Sequence, residues 1–165
     1  EQCIAFYNFF SVVIPIMVNT ALPVFLQGEV IKGFGRGSKD LGCPTANFPP
    51  SVVQSLPKDF KPGVYYGWAQ LDAGPIYKMV VNIGWCPFYD NKEMSVETHV
   101  MHEFDKDFYG SNLRIAIVGY LRGEMNFSSL DGLISQIKTD IKNAEDWLEK
   151  EDNLIVKKDE FFEQS

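Results

Sequence analysis

The chain has 165 residues, 45% of them hydrophobic and 22% charged. This is ordinary globular usage for one domain and excludes disordered and collagen-like chains. Acids exceed bases by 22 to 15, for a net charge of −7, so no surface-wide attraction to nucleic acid or to an anionic membrane is expected, although a local basic loop remains compatible with binding phosphate. Cys3, Cys43 and Cys86 are widely spaced and form no C-x-x-C pair, which suits a reducing compartment better than a disulfide framework or a cysteine zinc site.

From Gln2 to Gly28 there is no charged residue. The apolar run Phe9–Val18 has roughly the length of a signal peptide, but no cation precedes it and Asn19, Thr20 and Ala21 make a poor cleavage site. Residues 1–21 are therefore read as an extension irrelevant to the chemistry, with a targeting segment as the alternative, and residues 22–165 as the working domain. Within that domain the hydrophobic period is first two. Val24–Lys32, Val64–Leu71, Ile76–Ile83, Ser95–Met101 and Leu113–Leu121 are rich in Val, Ile, Tyr and Trp and read as strands. Turn signals at 61–63, 72–75, 90–92 and 109–112 separate them. The connection Asp72-Ala-Gly-Pro75 is too short for a helix, so its flanking strands are expected to form an antiparallel hairpin. Trp85, Phe88 and Tyr89 are read as packing residues rather than as a stacking platform.

The period then changes. Leu130, Leu133, Ile134, Ile137, Ile141, Ala144 and Leu148 mark one face of a helix, with Ser128 or Ser129 as its cap, Asp131 in its first turn, and Lys142 and Glu149 on the wet side. Phe161 and Phe162 are expected to fold back onto the body. Several short strands and one late helix make an antiparallel barrel, closed or split, with the helix against it.

Three segments can carry chemistry. The run Lys32-Gly-Phe-Gly-Arg-Gly-Ser-Lys39 places three cations and three glycines in eight residues of an acidic chain. Its backbone amides can approach an anion closely. It is neither a Walker A loop nor the dinucleotide fingerprint, and a solvated hairpin loop is the alternative. In Cys43-Pro-Thr-Ala-Asn-Phe48, Pro44 favours extended backbone, so Thr45 and Asn47 point the same way. Their hydroxyl and amide oxygens suit Mg²⁺ only if a nucleotide's phosphates bring the charge; a turn with two polar side chains is the alternative. In Ser95-Val-Glu-Thr-His-Val-Met-His102, Glu97 and His99 share one strand face and His102 the other. The divergence argues against a His-x-x-His metal pair. Glu97 is a candidate general base, or a solvated carboxylate on an edge strand.

Together with Gly63-Val-Tyr-Tyr-Gly67, Lys78-Met-Val-Val-Asn-Ile-Gly-Trp85 and Gly119-Tyr-Leu-Arg122, these segments closely resemble eukaryotic riboflavin kinase from about Leu22 to Phe162. The resemblance implies a six-stranded antiparallel barrel of Greek-key, split form with a C-terminal helix. It implies transfer of the γ-phosphoryl of ATP to the 5′-hydroxyl of riboflavin, giving FMN. It assigns nucleotide contacts to Gly33, Lys39, Thr45, Asn47, Val100, His102 and Tyr109, and the divalent metal to Thr45 and Asn47, with Mg²⁺ favoured and Zn²⁺ or Mn²⁺ as alternatives. Glu97 becomes the catalytic carboxylate, and Arg122, Met125 and Phe127 the flavin contacts. Met125 departs from the lysine that relatives carry, and Cys43 and Cys86 replace an expected Ile and Asn. A flavin-carrying barrel without catalysis would need neither the glycine loop nor Glu97, and 165 residues leave no room for an added FMN adenylyltransferase. The expected partners are therefore riboflavin, FMN, ATP and ADP, met by a monomer in the cytoplasm.

Overall fold

The computed structural model describes residues 22–33, 42–85 and 94–163. Residues 1–21, most of the glycine loop with Lys39, and Phe88 and Tyr89 lie outside them. Six strands form, β1 (Val24–Glu29), β2 (Ala46–Asn47), β3 (Gly63–Leu71), β4 (Ile76–Trp85), β5 (Met94–Val100) and β6 (Asn112–Arg122). They pair antiparallel throughout in the order β1-β6-β3-β4-β5-β2. Strands β3, β4 and β5 follow one another and β6 returns beside β3, which is a Greek key. Just past β1, Ile31 donates its N–H to the Asn47 carbonyl at 3.0 Å and bridges to β2. The two edges of the sheet thus meet at one point, and the barrel is otherwise split. The hairpin at residues 72–75 forms as expected, with Gln70 opposite Ile76.

The alternation of side chains sorts this sheet into two surfaces. Inward-facing Leu26, Tyr65, Met79, Val81, Ile83, Val96, Leu113, Ile115 and Ile117 make a single buried core, and burying each large side chain contributes roughly 1.5–3 kcal/mol. The outer face is covered by the C-terminal helices. Helix α2 (Leu130–Leu148) starts where Ser129, rather than Ser128, accepts the Gly132 N–H at 3.1 Å. Its Ala144 packs on Val64 and Val80, and its Leu148 packs with Phe162 on Trp68 and Ala116. Phe161 lies 4.9 Å from Phe25, so both terminal rings do return to the body. Glu149 is exposed, as expected, but takes an ion pair from Lys78 of β4, and that hydrogen bond draws its carboxyl below the usual range.

Two elements escape the period rule. Helix α1 (Pro50–Val53) begins with a proline in its first turn and is four residues long. Helix α3 (Glu151–Val156) is six, and the Trp68 indole N–H donates to its Asn153 carbonyl at 2.8 Å.

Candidate active site

Following the register across the sheet puts the chemistry-bearing residues in one row. Asn47 stands opposite Glu97, Glu97 opposite Asn82, Asn82 opposite Val64, and Val64 opposite Arg122. Directly paired residues share a face, so Asn47, Glu97, Asn82 and Arg122 all belong to the outer surface of the sheet, the same surface that α2 covers further along. Glu97 and Arg122 are three strand spacings apart, about 14 Å along the sheet.

At the β2 end the fit is close. Asn47 is buried, and a Cβ built on Gly33 would lie 2.3 Å from its amide nitrogen. The glycine loop therefore starts directly over the Asn47 side chain, and any side chain at Gly33 would displace it. His99, on the same face as Glu97, reaches back. Its Nδ1–H donates to the Pro44 carbonyl at 2.9 Å and fixes the segment carrying Thr45. Ser95 donates to Glu97 Oε1 at 3.3 Å. Beside this segment, burial pushes the Cys43 thiol up against the pull of Lys138, which makes it a poor nucleophile.

The remaining nucleotide candidates gather near the same end by a different route. Strand β5 ends at Val100, and Met101 and His102 are in a bend. The His102 ring then stacks on Tyr77 at 4.2 Å, and Tyr77 packs against the inner core. His102 is thus on the side opposite Glu97, as alternation predicts. The Val100 side chain is 6% exposed and belongs to that core, so a ligand contact there falls to its backbone. The ladder continues through Phe104 and Phe108 to Tyr109, which is 57% exposed. Its turn is tied to the entry of the glycine loop, with Gly110 N–H donating to Val30 O and Val30 N–H to Ser111 O, each at 2.9 Å.

Of the flavin candidates, Arg122 ends β6 and Met125 and Phe127 lie on the loop that leaves it. Arg122 donates to both carboxylate oxygens of Asp140 and has the Phe127 ring 6.0 Å from its centre; Met125 is exposed. The loop reaches the row from the other side. A Cβ on Gly84 would come within 2.5 Å of Glu124 Oε1, and Gly84 pairs with Ser95, one step along from the Glu97–Asn82 pair. Trp85, expected to pack, is instead 46% exposed. Together with Met94 and α1 it lines an open cavity of about 210 Å³ at the barrel end.

Asn82, Ser95, Asp140 and Glu124 were not singled out by the sequence. A signal existed only for Asn82, the single polar side chain in the run Met-Val-Val-Asn-Ile-Gly. As for the metal, Asn47 pairs with Glu97 and Thr45 precedes it by two residues, and among the described residues no three His, Cys, Asp or Glu side chains converge. This donor set fits a hard divalent cation shared with phosphate oxygens. No helix among the described residues is long and apolar enough to cross a membrane.

The comparisons with known proteins agree with this arrangement. A family model described as flavokinase, riboflavin kinase, matches residues 20–148. The riboflavin kinase of Homo sapiens is 56% identical over 144 residues, covering 87% of this chain and 93% of that protein. That of Mus musculus is 54% identical over 145 residues, covering 88% and 94%. The crystal structure of riboflavin kinase from Trypanosoma brucei superposes with a TM-score of 0.68 at 31% identity, covering 85% of this chain and 88% of that one. With the split Greek-key barrel, the glycine entry over Asn47 and the carboxylate in the row beside it, these matches place the chain in the riboflavin kinase family.

Proposed function

We propose that the chain transfers the γ-phosphoryl group of ATP to the 5′-hydroxyl of riboflavin, with Glu97 as the general base and the outer row of the sheet as the reaction site. The observation that carries the assignment of Glu97 is its register. It faces Asn47 on one side and Asn82 on the other, one strand spacing from a residue that would hold the metal. Phosphoryl transfer asks a protein chiefly for positioning and charge neutralisation. Backbone amides entering at Gly33, with Lys39, meet phosphate charge, while Thr45 and Asn47 hold the divalent cation. When bound, that cation neutralises charge on the phosphate oxygens. The oxygen donors suit Mg²⁺ or Mn²⁺ better than Zn²⁺. Val100, His102 and Tyr109 border the nucleotide. Arg122, Met125 and Phe127 hold the flavin so that its 5′-hydroxyl meets Glu97, which accepts the proton as the oxygen attacks. In this reading residues 22–165 form the kinase domain. It acts as a monomer; the net charge of −7 argues against nucleic acid or anionic membrane partners, and the cysteine usage suits the cytoplasm.

Glu97→Gln tests the role of the carboxylate, because it keeps the shape but cannot take a proton. Turnover, followed as FMN formed from riboflavin and MgATP, is expected to fall about 10²–10⁴-fold, with binding of both ligands by calorimetry nearly unchanged. Retention of more than about a tenth of the wild-type turnover removes Glu97 from the mechanism.

A further inference from the structure

We infer that Asp140, supported by Gln136, is a positioning residue for the flavin side of the site, acting through Arg122. The inference rests on the reading of Arg122 and Phe127 as flavin contacts.

Asp140 is out of place by the rules that built its helix. It falls on the face marked by Ile137, Ile141 and Ala144 and is 4% exposed, where a lone carboxylate is costly. Arg122 compensates it. The Nε–H donates to Oδ1 and to Oδ2 at 3.0 Å, and the Nη2–H donates to Oδ2 at 2.7 Å. The Gln136 amide donates to Oδ1 at 2.9 Å from one helical turn earlier. The carboxylate is therefore held from both the strand and its own helix, and its orientation is fixed.

The same guanidinium also organises the loop. Its Nη1–H donates to the Gly123 carbonyl at 2.9 Å, and its centre is 6.0 Å from the Phe127 ring. It thus touches both the first residue of the loop and the aromatic ring four residues later. Between them Glu124, Met125 and Asn126 are exposed and in no regular structure, so apolar packing does little to fix that stretch. A guanidinium carries five N–H donors. Three are engaged here, leaving one on each terminal nitrogen for a ligand. Asp140 decides which two remain and where they point. Buried ion pairs are weak devices for stability alone, since apolar replacements often serve as well. One at the root of an exposed loop, in the plane of the reacting row, is better explained by what it orients.

The test is a kinetic cycle on the full chain with Arg122→Gln, Asp140→Asn and the double variant, together with Gln136→Met. Michaelis constants for riboflavin and MgATP are measured separately, and riboflavin affinity directly by quenching of its fluorescence. Asp140→Asn is expected to weaken riboflavin binding about tenfold and to leave the MgATP constant within twofold. Gln136→Met, which keeps the ion pair, should weaken riboflavin two- to fivefold. The double variant should bind riboflavin no worse than Arg122→Gln, because residues acting through one another are not additive. If Arg122→Gln leaves riboflavin binding unchanged, the flavin reading of the loop fails. If Arg122→Gln weakens it while Asp140→Asn and Gln136→Met do not, or if either of these raises both constants alike, the positioning role is overturned. Should Asp140→Asn fail to fold, Gln136→Met decides.

Discussion

Gly33→Ala adds one methyl group and asks whether the glycine entry and Asn47 form one device. The backbone at Gly33 is not in the left-handed region, where only glycine is comfortable, so any effect comes from space alone. The added carbon would sit 2.3 Å from Asn47 Nδ2, more than 1 Å inside ordinary contact, and 2.8 Å from its Cγ. One partner must move. The Asn47 backbone is pinned, paired to Glu97 on one side and accepting the Ile31 N–H on the other. Its side chain therefore turns away from the row. Overpacking of this kind costs about 1–3 kcal/mol. If that cost falls on the arrangement needed in the transition state, kcat/KM drops about 5- to 150-fold, at about 1.4 kcal/mol per factor of ten. Steady-state kinetics at varied MgATP are the assay, with circular dichroism to show that the barrel persists. A variant that keeps kcat/KM within twofold would mean that the amide of Asn47 is not part of the site, or that the loop entry yields freely, and the reasoning would fail.

Other expectations follow from single contacts. Thr98 is fully buried in the barrel interior and its hydroxyl has no hydrogen-bond partner. Thr98→Val should therefore stabilise the fold by about 1 kcal/mol, read as a rise in Tm of a few degrees, and a loss of stability would refute this. Burial, with Tyr120 adding to it, pushes the Tyr65 hydroxyl up to about 12. The unfolded chain gives up that proton first, near its ordinary value of about 10, so this contribution to stability is complete below that pH and is lost as pH rises toward 12. Tyr65→Phe should flatten that part of a denaturation profile, and an unchanged slope would exclude Tyr65. His99→Asn can keep the bond to Pro44 O from a nitrogen placed like Nδ1, whereas His99→Leu cannot. The leucine variant should raise the Michaelis constant for MgATP about fivefold, the worth of one hydrogen bond near 1 kcal/mol, and the asparagine variant should not. Equal effects would dismiss the tether.

What the sequence makes legible follows from the range of the forces involved. Alternation and helical period are local, so five long strands and the span of α2 can be read to within a few residues. The Asp72–Pro75 hairpin and the two returning phenylalanines are local signals as well. Strand β2 is two residues long, and no period can be counted over two residues. Pro44 announces extended backbone, but nothing nearby says that Asn47 will pair with a strand fifty residues on. Asp140 is harder still. On its own helix it looks like a polar interruption of an apolar stripe, and its partner Arg122 is eighteen residues upstream. The same holds for Glu124 over Gly84, a contact between the end of one strand and the loop after another. Pairings of this kind are set by the closing of the barrel, which depends on the register of every strand between them.

That dependence bears on the row of Asn47, Glu97, Asn82 and Arg122, which sits on strands and not on loops. In β5 the residues alternate between Val96, Thr98 and Val100 inward and Ser95, Glu97 and His99 outward. A one-residue slip would turn Thr98 onto the reacting face and Glu97 into the apolar interior. Burying a carboxylate there without a partner costs far more than a slipped ladder could recover, so the core that stabilises the barrel also enforces the position of Glu97. Loops at the two ends, the glycine entry at Gly33 and the segment after Arg122, then bring their contacts to a row already fixed by ladder hydrogen bonds. Glu97 therefore stands opposite Asn47 and Asn82 by the ladder alone, without any contribution from the loops. On this argument, changes in the loops, and in Arg122 at the root of one of them, should act chiefly on Michaelis constants, and changes at Glu97 chiefly on turnover.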